Sequence, residues 1–320
     1  MYVILGRNDG AGWQAGTYAS PFNVTNPASP GVSNLDGSNG FVINGTQFNE
    51  FLGAGLATGD INDDGLADLA VSDNTDYGSL YILFGRQLGG KWSSGPSDTT
   101  HNWPSPLDLA TYFDGTHGFT VTNIRPEATF LDLNDDGVKD LAIAGWTYAG
   151  PPTINVIFGQ KSGSGWNGGT WPATINALSP PANCCVTFNN DLNSDYHNWM
   201  SPGPAIDFNA DGIDDLTIGA PSNNSSTGDV YVVYGHTGSW PSSVNLSSLT
   251  SSTGFKITGC NAGDEIGRAM TSGDINGDGY PELMIGAPQA TYNGNTQAGI
   301  GYVIYGKKSR SYDSLSLCGL

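Results

Sequence analysis

The chain has 320 residues and a formal net charge of -19, with 30 acidic against 11 basic residues. This balance argues against nucleic acid or an anionic membrane as a partner, because both are negatively charged. Glycine (46) and proline (18) make up a fifth of the chain and 11% of residues are aromatic, which favours many short strands joined by turns. No run of 18 apolar residues occurs, so we expect no membrane insertion in this segment.

The chain begins with a strand-like segment at residues 2–6, directly after Met1, so we expect no signal peptide in this segment. Asn-x-Ser/Thr sequons are compatible with secretion; they begin at Asn23, Asn44, Asn223, Asn224 and Asn245. We therefore expect a mature or truncated extracellular segment, secreted or at the cell surface.

An apolar strand that ends in glycine recurs five times, at a spacing of 71 to 79 residues. The copies are residues 2–6 (YVILG), 81–85 (YILFG), 155–159 (NVIFG), 231–235 (YVVYG) and 302–306 (YVIYG). A fixed long period is typical of solenoids and propellers.

Three further strands are predicted in each period. A short alternating strand (40–43, 118–121, 185–188, 254–257) precedes a strand of small residues, which runs into an acidic loop and then an apolar strand (69–71, 141–143, 216–218, 283–285). Repeated four-stranded units describe propeller blades, and small residues suit the innermost strand. The sequence therefore predicts an all-β propeller of about four to five four-stranded blades, or part of a ring of six or seven. We expect one region, 1–320, with a partial blade at 1–50 and repeats at 51–125, 126–190, 191–260 and 261–320.

Four acidic loops of the form Asp-x-Asn-x-Asp-Gly-x-x-Asp/Glu hold 15 of the 30 acidic residues. Calcium takes six to eight hard oxygen ligands, and side chains at loop positions 1, 3, 5 and 9 with the carbonyl at position 7 supply them. Glycine at position 6 permits the sharp turn. The predicted ligands are Asp60, Asn62, Asp64, Leu66, Asp68; Asp132, Asn134, Asp136, Val138, Asp140; Asp207, Asn209, Asp211, Ile213, Asp215; Asp274, Asn276, Asp278, Tyr280 and Glu282. Up to four Ca²⁺ ions would bring the net charge to about -11, at two charges each.

An EF-hand is the main alternative for such loops. An EF-hand needs glutamate at position 12 followed by a helix, whereas position 12 here is Val71, Ile143, Ile218 or Ile285, inside an apolar strand. We therefore expect each loop to join two strands of a hairpin.

The four cysteines are Cys184, Cys185, Cys260 and Cys318. They include no CxxC pair and no nearby histidine, so we expect disulfides and no zinc site. Adjacent cysteines rarely bond to each other, so we expect one of Cys184 and Cys185 to pair with Cys260, and Cys318 to anchor the tail. The connectivity stays open at this stage.

No catalytic residue is predicted. None of the histidines lies in a GxSxG, HExxH or Cys/His setting, and each is interpreted as a loop or surface residue: His101, His117, His197 and His236. Recurring tryptophans are expected to pin long connections onto the blades, with sugar stacking as the functional alternative: Trp13, Trp92, Trp103, Trp166, Trp171 and Trp240.

The repeats resemble the FG-GAP repeat of the integrin α-subunit N-terminal β-propeller, and the likeness covers nearly the whole chain. Gly219-Ala220-Pro221 and Gly286-Ala287-Pro288 give the "GAP" tripeptide, and Phe51-Leu52-Gly53 stands where "FG" is expected. The departures are Val71-Ser72-Asp73, Ala144-Gly145-Trp146 and His197-Asn198-Trp199-Met200, the last at a predicted inner strand. The long Trp/Pro/Ser connections are similar to FG-GAP arrays of secreted microbial and protist proteins.

The resemblance implies a calcium-binding extracellular glycoprotein for adhesion, surface recognition or assembly, which is not an enzyme and whose partner is an extracellular protein or glycan. The alternatives are a glycan-binding lectin propeller and an accessory domain of a secreted hydrolase. In the family's blade order the chain opens with the last two strands of one blade and closes with the first three of another. It is thus a piece of a longer propeller, or closes through a five-stranded blade, or pairs its ends with another molecule as a head-to-tail filament subunit.

Overall fold

The computed structural model describes residues 2–4, 40–45, 50–75, 78–86, 107–145, 151–161, 171–181, 184–190, 199–306 and 314–318. Nearly all of the regular structure in these ranges is β, which confirms the predicted fold class. The strands are β1 (Tyr2–Ile4), β2 (Gly40–Val42), β3 (Gly55–Gly59), β4 (Asp68–Ser72), β5 (Gly78–Leu83), β6 (Gly118–Leu131), β7 (Asp140–Gly145), β8 (Thr153–Ile157), β9 (Thr174–Asn176), β10 (Cys185–Asn189), β11 (Ser201–Ile206), β12 (Asp215–Ala220), β13 (Asp229–Val233), β14 (Ser243–Asn245), β15 (Gly254–Thr258), β16 (Ala269–Gly273), β17 (Glu282–Ala287), β18 (Ile300–Ile304) and β19 (Leu315–Ser316). Two helical turns, α1 and α2, span Leu109–Tyr112 and Asn223–Ser226, and a 3-10 turn spans Leu246–Ser248.

The strands form antiparallel units that repeat along the chain. Unit 1 is β3, β4, β5 and the first part of β6; unit 2 is the second part of β6 with β7, β8 and β10. Unit 3 is β11, β12, β13 and β15, and unit 4 is β16, β17 and β18. The pair β1–β2 forms a separate half-unit. This succession of small antiparallel sheets is the β-propeller arrangement that the repeat predicts.

The long strand β6 belongs to two units at once. Its first part, up to Ile124, pairs with β5 as the outer strand of unit 1, and its second part, from Ala128, pairs with β7 as the inner strand of unit 2. The register shifts between these two residues, and such an irregularity lets a strand bend away from its first sheet. The chain thus passes from the outside of one unit to the inside of the next without a loop.

Each complete unit also receives a short parallel strand from farther along the chain. Parallel pairs join β6 with β9, β10 with β14, and β15 with β19, and Ile43 forms a parallel bridge with Leu107. The long connection of one unit therefore ties down the outer strand of the unit before it, an arrangement that the sequence analysis did not predict.

The hydrophobic core lies between the units. In β13, Tyr231 and Val233 pack with Ile218 and Val156 of the second core cluster, while Val230 and Val232 pack with Leu283 of the third. Because this strand is covered on both faces, all of its residues are buried, which explains why the recurrent strand reads as a continuous apolar run.

The disulfides differ from the predicted pairing. Cys184 bonds to its neighbour Cys185, and Cys260 bonds to Cys318. The expectation that adjacent cysteines avoid each other was wrong here. Cys318 does anchor the tail, because β19 lies beside β15 and brings Cys318 next to Cys260.

Of the six recurring tryptophans, two lie in the described ranges and both pack on strands. Trp171 stacks on Phe119 with ring centroids 4.6 Å apart, and Trp240 meets Phe188 edge to face at 5.8 Å. This matches their predicted structural role. Trp13, Trp92, Trp103 and Trp166 lie outside the described residues.

The inner strand of unit 3 is Ser201–Ile206, so the expectation that residues 197–200 occupy this place was wrong. Its proline and glycine content hid it from pattern analysis, because Pro202, Gly203 and Pro204 are poor strand formers. The register shift between Pro202 and Ala205 accommodates them. His197 and Asn198 lie outside the described residues.

Substituting Gly59 tests the packing between units 1 and 2. A Cβ at Gly59 would overlap the ring of Phe130 in unit 2, whereas the register-equivalent Gly273 in unit 4 has nothing within 4 Å of its Cβ position. We expect Gly59→Ala to lower the free energy of unfolding by about 1–3 kcal/mol through overpacking. The matched variant Gly273→Ala should change it by less than about 0.5 kcal/mol. Chemical denaturation of both variants measures the difference, and equal effects would contradict the packing.

Candidate metal-binding loops

The four acidic loops join the inner two strands of each unit. They lie between β3 and β4, β6 and β7, β11 and β12, and β16 and β17. Position 12 of each loop falls within the second strand of its hairpin, where an EF-hand would begin a helix. The prediction that these are hairpin loops is confirmed.

The first carboxylate of each loop is wrapped by the loop's own backbone. In loop 1, Asp60 accepts hydrogen bonds from the N–H of Asp64 through Oδ1 (3.2 Å) and of Gly65 through Oδ2 (2.8 Å). The Asn62 side-chain Oδ1 accepts from the same Asp64 N–H at 3.1 Å. Oxygens at positions 1 and 3 therefore point to one place in the loop interior.

The fifth position closes the turn. Asp64 Oδ2 accepts from the Asn62 side-chain amide at 3.3 Å, and Asp64 Oδ1 accepts from the N–H of Leu66, the position-7 residue, at 2.9 Å. The same five contacts recur around Asp132, Asn134, Asp136 and Val138, around Asp207, Asn209, Asp211 and Ile213, and around Asp274, Asn276, Asp278 and Tyr280.

Two backbone positions per loop have a positive φ. Position 6 is always glycine, with φ between 83° and 95°, and open space surrounds its Cβ position. Glycine is therefore required by the backbone conformation and not by crowding. Position 4 is also left-handed, in Asp63, Asp135, Ala210 and Gly277.

The acid at position 9 is fully buried and joins two parts of the unit. Asp140 accepts the N–H of Leu133 in its own loop at 2.9 Å through Oδ2, and the N–H of Gly159 at 2.9 Å through Oδ1. Gly159 ends the apolar strand that recurs along the sequence. Asp68 makes the same two bonds with Ile61 and Gly85, and Asp215 with Phe208 and Gly235.

The strand-ending glycine is required by this contact. A Cβ at Gly159 would collide with the backbone carbonyl of Lys139, the residue before the buried acid. The equivalent glycines, Gly85, Gly235 and Gly306, face the carbonyls of Ala67, Asp214 and Pro281 in the same way. The two sequence motifs, strand-ending glycine and acidic loop, thus describe one structural feature.

Loop 4 differs at position 9. Glu282 accepts the N–H of Ile275 at 2.9 Å through Oε2, and its Oε1 accepts the side-chain amide of Asn276 at 3.2 Å. The longer side chain therefore reaches back into the loop, and it is as fully buried as the three aspartates.

Burial shifts the titration of the position-9 acids. Loss of hydration raises the pKa of Asp68 to about 7 and those of Asp140 and Asp215 to about 8, against the lowering effect of the two backbone donors. Negative neighbours at positions 1 and 5 add to the rise in pKa. A positive charge in the loop would favour the ionised form of these acids.

The second loop position was missed in the sequence analysis. It is apolar in all four loops, and Ile61, Leu133 and Phe208 are buried, at 1% exposure or less. The backbone carbonyl of Ile61 accepts a hydrogen bond from the N–H of Gln160 in unit 2, and that of Leu133 accepts one from the N–H of His236, just after β13 in unit 3. These residues fix each loop against the following unit. The apolar residue at position 2 of all four loops was the sequence feature that could have predicted this packing.

A charged contact also joins neighbouring loops. Asp214 Oδ2 accepts the N–H of Asp132 at 2.8 Å and lies 2.7 Å from the ammonium nitrogen of Lys139. Asp214 and Lys139 lie on opposite sides of the junction between units 2 and 3, and they are partly exposed, so solvent screens their attraction.

In the part of the chain that the structure describes, no group of three or more Asp, Glu, His or Cys side chains is gathered to hold a metal ion. The loop carboxylates instead accept hydrogen bonds from backbone N–H groups. Each carboxylate has further lone pairs that these bonds do not use. Calcium binding therefore stays a prediction for the site residues.

The histidines and the glycosylation sequons were the other residues singled out in the sequence. His117 lies 3.1 Å from Asp114, and His236 stacks on Trp240 with ring centroids 4.2 Å apart. Among the sequons, Asn223 is buried, whereas Asn44 and Asn224 are exposed. The described residues contain no helix long and apolar enough to cross a membrane.

Comparison with known families identifies the repeat. The FG-GAP repeat family matches residues 198–233 and 266–304, which contain the third and fourth acidic loops with the strands on either side. This chain carries FG-GAP repeats. Units 1 and 2 of the FG-GAP chain share the loop geometry of the two matched segments, which extends the likeness beyond them.

Several curated relatives of the FG-GAP chain are enzymes. Phosphatidylinositol-glycan-specific phospholipase D of Bos taurus is 31% identical over 207 residues, covering 60% of this chain and 22% of the relative. The Homo sapiens protein of the same name is 26% identical over 349 residues, covering 97% of this chain and 37% of the relative. Integrin alpha-PS2 of Drosophila melanogaster is 34% identical over 138 residues, covering 40% of this chain and 9% of the relative.

These relatives correct the functional expectation. Five relatives, including the two above, are named as a phosphatidylinositol-glycan-specific phospholipase D. The prediction of a non-enzymatic adhesion protein was therefore wrong, and the hydrolase alternative fits better. The chain spans between a fifth and two fifths of the length of these first relatives.

The buried acids predict a pH dependence of stability without calcium. Their pKa values are raised from 3.8 to about 7 or 8 in the folded chain, so between those values the folded state binds more protons than the unfolded state. Stability is then greatest at low pH and falls as pH rises. We expect the melting temperature in EGTA to fall between pH 5 and pH 8. A melting temperature that rises over this range would contradict the assignment.

Proposed function

We propose that this chain is the FG-GAP repeat region of an extracellular hydrolase that acts on phosphatidylinositol-glycan. The observation that carries the proposal is the alignment with the human phosphatidylinositol-glycan-specific phospholipase D, which extends over 97% of this chain. Relatives of that name from cattle and Dictyostelium discoideum support it. The exposed sequons at Asn44 and Asn224 are compatible with an extracellular location.

A chimera tests this proposal. The stretch of the human enzyme that aligns with this chain is replaced by residues 1–320, and release of a phosphatidylinositol-glycan-anchored protein from vesicles is measured. We expect the chimera to retain activity within about tenfold of the parent. A tenfold loss would correspond to about 1.4 kcal/mol of transition-state stabilisation.

The control is a chimera that carries an unrelated propeller of similar length, which should be inactive. A chimera that folds, as judged by a cooperative melting transition, yet releases no anchored protein would overturn the proposal.

We further propose that the four acidic loops bind calcium. The donor set is made of oxygen atoms from carboxylates, an amide and a backbone carbonyl, which are the ligands that Ca²⁺ prefers. The oxygens of Asp60 and Asn62 share one backbone donor, so these two ligands are already close together. Burial disfavours the ionised form of the acid at position 9, and a nearby cation would stabilise that form.

In this proposal, positions 1, 3, 5 and 9 bind through side chains and position 7 through its carbonyl. When bound, the ion supplies positive charge that neutralises the clustered carboxylates. Because the same loops contact the next unit through residues such as Leu133 and Asp132, ordering a loop also orders the junction between units.

A matched pair of variants in loop 2 tests the calcium proposal. Asp136, at position 5, is a predicted ligand, whereas its exposed neighbour Asp135 has a positive φ that asparagine adopts readily. Each change, Asp136→Asn and Asp135→Asn, removes one negative charge. We expect Asp136→Asn to lower the calcium affinity of one site at least tenfold, the effect of about 1.4 kcal/mol, with little effect of Asp135→Asn.

Isothermal titration calorimetry with Ca²⁺ measures both variants, and the melting temperature of the parent protein is compared in EGTA and in Ca²⁺. Equal losses of affinity in the two variants would indicate a general charge effect. An unchanged melting temperature of the parent would contradict the calcium proposal itself.

A further inference from the structure

The residue at position 8 of each acidic loop lies between two predicted ligands. In loop 2 it is Lys139, which stands between Val138 at position 7 and Asp140 at position 9, and in loop 3 it is Asp214 at the same place. The position-8 residue supplies no predicted ligand atom itself. An ion bound in the loop would nevertheless fix it from both sides, so the contacts of this residue depend on the state of its own loop.

Position 8 of one loop contacts the first residue of the loop before it. The backbone N–H of Lys139 donates to the carbonyl oxygen of Asp60 in loop 1 at 3.1 Å. The side chain of Asp214 accepts a hydrogen bond from the N–H of Asp132 in loop 2 at 2.8 Å. Asp60 and Asp132 are the position-1 residues, whose carboxylates are predicted ligands. One residue therefore connects the ligands at positions 7 and 9 of one loop with the ligand at position 1 of the preceding loop.

A second backbone hydrogen bond supports this connection at both junctions. Gln160 donates its N–H to the carbonyl oxygen of Ile61 at 2.9 Å, and His236 donates to that of Leu133 at 3.1 Å. Each donor directly follows the strand-ending glycine whose N–H binds the buried position-9 acid. The position-9 acid of one loop is thus also connected with position 2 of the preceding loop.

Loop 4 differs at position 8, where it has Pro281. Proline has no backbone N–H and its side chain has no polar atom, so it can form neither the bond of Lys139 nor the bond of Asp214. Lys307, which follows the strand-ending Gly306, lies outside the described residues. Loop 4 therefore lacks the position-8 link to loop 3 and provides a comparison within the same chain.

We propose that calcium binding in loops 1, 2 and 3 is positively coupled through the position-8 residues, whereas loop 4 binds its ion independently of loop 3. The inference rests on the proposed calcium binding. Ordering of positions 7 and 9 in one loop holds position 1 of the preceding loop in place, so the next ion meets a partly ordered site and binding costs less conformational entropy. Because coupling is reciprocal, each loop favours binding in its neighbour to the same extent.

The charge of the sites allows neighbouring ions to bind together. Each of loops 1, 2 and 3 has aspartate at positions 1, 5 and 9, so a loop that holds one Ca²⁺ keeps a net charge of about -1 and does not repel a second cation. The ammonium nitrogen of Lys139 lies 2.7 Å from Asp214 Oδ2, but this ion pair is partly exposed and screened by solvent. The coupling is therefore assigned to the hydrogen bonds.

Full-length chains with two intact loops test the coupling. The pair Asp64→Asn and Asp278→Asn leaves loops 2 and 3, and the pair Asp64→Asn and Asp136→Asn leaves loops 3 and 4, because each change removes a predicted position-5 ligand. A further change of this kind leaves a single loop. Isothermal titration calorimetry with Ca²⁺ gives the constants. The coupling factor is the overall constant for both ions divided by the product of the two single-loop constants, and it is unity for independent sites.

We expect a coupling factor of about fivefold or more in the chain with loops 2 and 3, and a factor near unity in the chain with loops 3 and 4. A factor near unity with loops 2 and 3, although two ions bind, would overturn the coupling and leave the calcium proposal standing. Absence of calcium binding in the parent chain would overturn both. Equal factors above unity in the two chains would overturn the role of position 8.

Variants at Asp214 test the contact itself in the chain with loops 2 and 3. Asp214→Ala removes the acceptor and should bring the coupling factor close to unity, whereas Asp214→Asn keeps an oxygen that can accept the Asp132 N–H and should keep the factor high. The matched control is Asp135→Ala, which removes one negative charge at an exposed position where loop 3 has Ala210. A cooperative melting transition checks that each variant folds. Equal loss of coupling in Asp214→Ala and Asp135→Ala would overturn the proposal.

Discussion

The buried carboxylate at the end of each acidic loop is the constraint on which the units depend. Asp140 is buried, and its carboxylate accepts hydrogen bonds from two backbone N–H groups, one in its own loop and one at Gly159. A buried charged group needs such hydrogen bonds, because the loss of water is otherwise costly. The acid fixes the loop, the loop fixes the hairpin, and the glycine lets the third strand approach the hairpin closely. Repetition of this contact in units 1, 2 and 3 accounts for the shape that these units share.

The units in turn hold together through apolar side chains and loop backbones. The second loop position, as in Leu133, is buried at the junction with the next unit, and its carbonyl accepts a hydrogen bond from a backbone N–H of that unit. The acidic loops therefore have a packing role that does not depend on a bound ion. Loss of hydration on burial, with a smaller contribution from the neighbouring negative charges, raises the pKa of the buried acids, and a cation in the loop would favour their ionised form. This links the proposed calcium binding to stability of the whole array.

Much of the fold could be predicted because its signals are local. The five apolar strands, the four loops and their hairpin setting follow from periodicity and glycine placement, and the EF-hand was excluded by the residue at position 12 alone. The inner strand of unit 3 was misplaced because prolines obscure strand patterns. The disulfides were mispaired because connectivity depends on the path of β19 beside β15. The functional expectation failed for another reason, since one fold serves adhesion receptors and enzymes alike.

The sequence by itself determined the repeat, the all-β class and the residues of the four loops, because these depend on neighbours within a few positions along the chain. Only the tertiary structure decided that the position-9 acids are buried, since their shielding comes from Gly85, Gly159 and Gly235, which lie 17 to 20 residues farther on. It also decided which apolar side chains are covered. Val232 and Val303 occupy equivalent strand positions, yet one is 0% and the other 42% exposed, because burial depends on whether another unit lies against the strand.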